Sequence, residues 1–189
     1  MSVTNKMKRF IILLFAIVLP VSLSAHPHMS INAYAHYYFD QSGFMGFYIQ
    51  WIFDPLFSSQ IVYECDTDND LSFSDKELEQ VEKYYFSRLD DYNFYTELRI
   101  EDRVEPLGIP VNFSAEIDTD DDNVVIFTFY VPVNRPYKSG GTRITVDFTD
   151  HTNYTAFICP QRALSVYGDA NKISDIVINR LGTISFTYQ

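Results

Sequence analysis

Five candidate cation ligands fall in one twelve-residue run, "DTDNDLSFSDKE", Asp66 to Glu77. Asp66, Asp68 and Asp70 stand at positions one, three and five, Ser72 at seven and Glu77 at twelve. This is the spacing of an EF-hand calcium loop. A hard cation takes six to eight oxygens. Alternate residues of a tight loop turn their carboxylates inward, and position seven offers its backbone carbonyl. The glutamate at position twelve supplies two oxygens at once. Ser74 at nine can serve a bound water, and Phe73 fills the apolar eighth position. The sixth position is glycine in the usual pattern, because the chain turns there with positive φ. Leu71 stands there instead, at a cost of about 1–2 kcal/mol. The expected site is a weak Ca²⁺ site, of the roughly 10⁻⁴–10⁻³ M class found outside the cytosol. A second acidic run, "DTDDDN" (Asp118–Asn123), lacks the closing glutamate. Twelve positions along lies Phe129, inside an apolar strand. That run reads as a charged hairpin turn.

The other candidate ligands are His26 and His28, in "SAHPHMS" (Ser24–Ser30). Residues 1–25 have the pattern of a secretory signal peptide: Lys6, Lys8 and Arg9, then the apolar run Phe10–Leu19, then small residues. Cleavage after Ala25 leaves His26 with a free α-amine beside its imidazole. His28 adds a second imidazole from the same side of an extended chain. Such a nitrogen set suits Ni²⁺, Zn²⁺ or Cu²⁺. Pro27 has no N–H, so the square-planar mode that uses the second amide is excluded. Cleavage after Ser24 would weaken the brace, and two solvated histidines with no metal are the bland alternative. His36 lies ~26 Å from His28 along a straight strand, so it is no partner without a bend. His151, Asp54 and Asp150 are the residues that could approach from elsewhere.

The elements that must position these groups are mainly strands. "MSINAYAHYYF" (Met29–Phe39), a turn at Asp40–Gly43 and "FMGFYIQWIF" (Phe44–Phe53) read as a hairpin. Further strands are predicted over Asn112–Ile117, Asn123–Val133, Thr142–Asp150, Asn153–Ile158, Ser174–Arg180 and Gly182–Tyr188. Between them, Asp54 followed by Pro55 signals a helix start. Ser74-x-x-Glu77 is a capping box opening a second helix, with Leu78, Val81 and Tyr85 on one face. The expected architecture is α+β. It is mainly antiparallel and sandwich-like, with an EF-hand-like helix-loop-helix over 55–90 inserted after the first hairpin. A single β-rich domain is expected over 26–189.

Composition narrows the function. Fourteen basic and 25 acidic residues give a formal net charge of −11, and the first 25 residues carry three of the basic ones. So acidic a chain has no footprint for nucleic acid. After the signal, no segment is apolar and long enough to span a bilayer. Two cysteines, Cys65 and Cys159, in an exported chain suggest a disulfide contributing about 4 kcal/mol. Two buried free thiols are the alternative.

Four stretches together resemble a bacterial family of unknown function. They are "AHPH" (Ala25–His28), "WIFDPLFS" (Trp51–Ser58), "DTDNDLSFSDKEL" (Asp66–Leu78) and "DHTNYTAF" (Asp150–Phe157). That family is described as the periplasmic component of an uncharacterised ABC-type transport system, often encoded beside nickel/cobalt transporters. Leu71 departs from its usual glycine, and His151 stands where a proline is expected. The resemblance implies a metal-linked periplasmic role and raises the weight on His26 and His28 as ligands.

The leading expectation is therefore a non-catalytic periplasmic accessory protein. It would bind a transition metal at its N-terminus, work beside a membrane metal transporter or permease, and hold Ca²⁺ in the loop. One alternative is a calcium-stabilised β-sandwich interaction module. Another is a copper enzyme with an N-terminal histidine brace, which needs a third nitrogen and an open position. No nucleophile elbow points to a hydrolase, and no Cys-His-Met cluster points to an electron carrier. The chain is too short and too β-rich for the two α/β lobes of a solute-binding protein.

Overall fold

A computed structural model describes residues 27–136, 140–168 and 172–189. The predicted signal peptide and His26 lie outside the described residues. Among the described residues, eleven strands form two mostly antiparallel sheets that pack face to face, with two α-helices between the second and third strands. β1 (Met29–Phe39) and β2 (Gly43–Phe53) pair antiparallel, with Ala33 opposite Trp51 and Ala35 opposite Ile49. The first sheet runs β5 (Val111–Asp118), β6 (Val124–Pro136), β2, β1, β8 (Thr155–Ile158). β8 and β9 (Leu164–Tyr167) both lie parallel to β1, along successive parts of the same edge. The second sheet runs β10 (Ile173–Asn179), β11 (Thr183–Tyr188), β7 (Thr142–Phe148), β3 (Thr96–Ile100), β4 (Arg103–Glu105).

Period-two alternation sets the core. Ile31, Ala33, Ala35, Tyr37 and Phe39 of β1 are buried, as are Phe47, Ile49, Trp51 and Phe53 of β2. Strand side chains alternate between faces, so these share the inner one. The two small alanines leave room for Trp51, which is 1 % exposed. Tyr37 meets Phe186 of β11 edge-on at 4.7 Å, and Phe39 stacks on Tyr188. These rings tie the two sheets together.

The helical insert closes the part of the first sheet that carries β6. α1 (Pro55–Cys65) buries Ser58, Ile61 and Cys65, which fall on one helical face. Ser58 Oγ accepts a hydrogen bond from Val125 N at 2.9 Å, fastening the helix to β6. α2 (Asp75–Val81) continues as a π-helical turn, Glu82–Phe86, and then as 3-10 structure to Tyr95. The sequence predicted one regular helix carrying Leu78, Val81 and Tyr85 on one face. The wider π turn adds a residue to the repeat, so Phe86 is buried and Tyr85 half-buried beside buried Val81. β3, β4 and β9 also escape the sequence reading, because each is only five residues or fewer.

The predicted disulfide is not formed. Cys65 and Cys159 are both free and buried. Cys65 ends α1, which is fastened to β6, whereas Cys159 follows β8. Three inter-strand steps of about 4.8 Å separate those strands, beyond the reach of a disulfide. Burial, reinforced by Asp147, pushes the Cys159 thiol up to about 12, and burial raises that of Cys65 as well. Native protein at pH 8 is therefore expected to resist iodoacetamide, and both thiols are expected to alkylate once it is unfolded. Intact mass reads this directly. Rapid alkylation of either thiol in native protein would contradict it.

Candidate metal centre

The loop between the two helices gathers three carboxylates. One ligand oxygen each from Asp66, Asp68 and Asp70 lies within 4.8 Å of the others. Among the described residues no other trio of His, Cys, Asp or Glu comes so close. The second acidic run instead forms the turn joining β5 to β6, with Asp118 opposite Val124. Asp66 is 4 % exposed and organises the loop. Its Oδ1 accepts from Asp70 N and its Oδ2 from Leu71 N. Asp70 Oδ1 accepts from the amide and hydroxyl of Ser72. Asp68 is exposed, and its carboxyl is pushed up by desolvation and by the charges of Asp70, Glu77 and Asp66. That crowding of like charge is what a cation relieves.

Glu77 is 3 % exposed on the first turn of α2. Its Oε1 accepts from Thr67 N and Thr67 Oγ1, at 2.6 and 2.7 Å. Its Oε2 accepts from Ser74 N and Ser74 Oγ, at 3.0 and 2.7 Å. Four donors on one carboxylate hold it at about 2, the Thr67 hydroxyl contributing most. The same bonds close the loop from both ends, which fixes the distance between the helices.

Leu71 has φ +61° and Asn69 φ +59°. Leu71 thus carries a left-handed backbone, which a glycine would adopt without strain. Leu71 is 39 % exposed, so little packing offsets that strain. Leu71→Gly is expected to leave stability unchanged or raise it by up to about 1 kcal/mol, relief of strain outweighing glycine's extra chain entropy. Urea denaturation checks this, and a loss above 1 kcal/mol would contradict it.

His28 sits at the other end of β1. It is exposed, its N–H donates to Tyr154 O, and its ring lies 5.2 Å from that of Tyr154. A surface cavity of 620 Å³ brings Pro27 together with Asp150, Thr152 and Asn153. The structure thus joins two of the sequence's separate stretches, "AHPH" and "DHTNYTAF". The acids near this end are already engaged. Asp150 accepts from Thr152 N, Thr152 Oγ1 and Thr155 N, shaping the 150–155 turn. Asp54 caps α1 through Phe57 N and holds Ser30 N at 2.6 Å. His36 lies on the outer face of the first sheet, its Nδ1 2.5 Å from Ser165 Oγ, and burial lowers its pKa. His151 is exposed and lines a different cavity. Sequence reading missed the bridging role of Asp54. Its helix-capping signal was visible, but nothing local predicts the bond to Ser30, 24 residues away.

Comparison with known proteins adds kinship. A family described as "Protein of unknown function (DUF1007)" matches residues 11–175. A protein of Spirochaeta aurantia, described as an uncharacterized 15.5 kDa protein in trpE 3'region, is 32% identical over 98 residues. The match covers 52% of this chain and 67% of that protein.

Proposed function

Since the chain belongs to this family of proteins of unknown function, DUF1007, membership brings no activity with it, and we propose a non-catalytic, metal-handling role. The protein is a periplasmic accessory component of a transition-metal transport system. Its EF-hand-like loop holds Ca²⁺, and its exported N-terminus holds Ni²⁺, Zn²⁺ or Cu²⁺ beside a membrane metal transporter or permease. The observation that carries the reading is the Asp66–Asp68–Asp70 trio, within 4.8 Å in a loop between two helices. Asp66, Asp68, Asp70 and Glu77 would supply carboxylate oxygens and Ser72 its carbonyl. Calcium there would be structural, stapling α1 to α2. The transition-metal half is supported by His28, whose backbone is pinned to Tyr154 with its side chain exposed. No helix of the described residues is long and apolar enough to cross a membrane.

A second reading, an interaction module stabilised by calcium, draws on the outer face of the first sheet. Tyr38, Tyr48 and Tyr130 contact one another there, and Tyr167 stacks on Tyr38 at 4.6 Å. Elemental analysis after dialysis against Ca²⁺, Ni²⁺, Cu²⁺ and Zn²⁺ together separates the two. One calcium and one transition metal per chain support metal handling. Calcium alone favours the interaction module, and no bound metal at all overturns both.

A further inference from the structure

A second cavity, of 320 Å³, shares Thr149, Asp150 and Thr152 with the cavity at Pro27. Its walls come from the 3-10 segment (Asp91, Tyr92, Tyr95), from β3 (Glu97) and from the turn itself (Asp150, His151). A volume of this order is the lower end of what small ligands occupy.

Two features define its chemistry. The first is aromatic. The rings of Tyr92 and Tyr95 lie 5.5 Å apart and 27° from parallel. Tyr95 is braced from behind by Trp51 and Phe157, and Tyr92 is 53% exposed at the mouth. Burial, then the charge of Asp150 and the neighbouring Tyr92, raises the Tyr95 hydroxyl, so it stays neutral. The second feature is charge. Three carboxylates line the cavity and no lysine or arginine does. Glu97 is paired with Arg99 at 2.6 Å, which leaves Asp91 and Asp150 to set the sign. These acids and His151 form no trio close enough for one bare ion, unlike the loop at Asp66. Spread-out negative charge beside aromatic faces suits a cation whose charge is itself spread over a larger, partly apolar body.

The wall is held rigidly. Asn93, Phe94 and Tyr95 all have positive φ, 51°, 48° and 46°. Asn93 Nδ2 donates to Thr96 O, Thr96 Oγ1 to Phe94 O, and Thr149 N to Tyr95 O. These bonds tie the segment carrying the tyrosine pair to the start of β3 and to the turn.

We propose that this cleft binds a small organic cation, a quaternary ammonium or guanidinium group, against the exposed Tyr92 ring with Asp91 and Asp150 as counter-charges. No residue of the Asp66–Glu77 loop lines this cleft, and neither does His28, so the proposal does not rest on the metal reading, although Asp150 also faces the cavity at Pro27.

The test is an NMR titration of the full chain with choline and agmatine. The neutral carbon isostere of choline, 3,3-dimethyl-1-butanol, is the control. Saturable shifts confined to Tyr92, Tyr95, His151 and their neighbours are expected with the cations and not with the isostere. Tyr92→Ala changes an exposed side chain, so the fold should persist, and binding should weaken at least tenfold. Val104→Lys, at a 62%-exposed lining position, places an ammonium in the cleft and should abolish the shifts. Equal shifts with the isostere, no saturable shift with either cation, or unchanged binding by both variants would overturn the proposal.

Discussion

Asp54→Ala is expected to destabilise the protein by about 2–4 kcal/mol. Its carboxylate does two jobs at once: it caps α1 at Phe57 N, 2.9 Å away, and receives Ser30 N from the start of β1. Loss of an N-cap costs about 1 kcal/mol, and a hydrogen bond to a charged group is worth about 1.5–3 kcal/mol. The two parts act through one side chain, so they need not add in full. Asp54→Asn keeps the cap oxygen but brings an NH₂ toward one of the two donors, and should cost about half as much. Urea denaturation of both variants measures this. An Asp54→Ala loss below 1 kcal/mol would show that β1 and α1 are not tied through this residue.

Addition of 10 mM Ca²⁺ is expected to raise the melting temperature by about 3–10 °C. A site of roughly 10⁻⁴–10⁻³ M affinity is then 10- to 100-fold over its Kd, which contributes about 1.4–2.7 kcal/mol. For a domain of this size each kcal/mol is about 2–4 °C. Asp70→Asn and Glu77→Gln should each remove most of the rise, while Asp120→Asn, in the other acidic run, should leave it intact. Glu77 has a further effect without calcium. Its carboxyl is held at about 2, below the ordinary 4.5. A lowered folded-state value means the stabilisation is fully present above pH 4.5 and is lost as pH falls through about 2. Glu77→Gln should therefore flatten the acid limb of the stability–pH curve between those values. An unchanged limb would contradict the four-donor arrangement.

Most of the framework was legible in the chain because alternation is a local signal. Met29–Phe39 and Phe44–Phe53 show it, and they form the β1–β2 hairpin. The starts of both helices were equally visible, since Asp54-Pro55 and Ser74-x-x-Glu77 act within one turn. The helix after Val81 was not, because its departure into a π turn and then into positive φ at Asn93–Tyr95 is imposed by packing. Phe86 stacks on Phe113 of β5 at 4.2 Å, a partner 27 residues on that no local pattern announces. The cysteine reading failed for the same reason. Compartment chemistry suggested a bond, but strand order, a long-range property, placed Cys65 and Cys159 at opposite sides of the first sheet. In the candidate site, the spacing of Asp66, Asp68 and Asp70 specified the trio. The clustering of Pro27 with the Asp150 turn was beyond it, because that depends on β8 pairing parallel with β1.

Titration calorimetry tests the central claim most directly. The sample is the chain beginning at His26, its N-terminus established by intact mass. Ca²⁺, Ni²⁺, Cu²⁺ and Zn²⁺ are titrated into native protein and into a His26→Ala/His28→Ala variant. The account predicts calcium binding in both and a transition-metal site only in the native chain. Identical binding of every ion by the two proteins would show that the opening histidines hold no metal, and would contradict the metal-handling role.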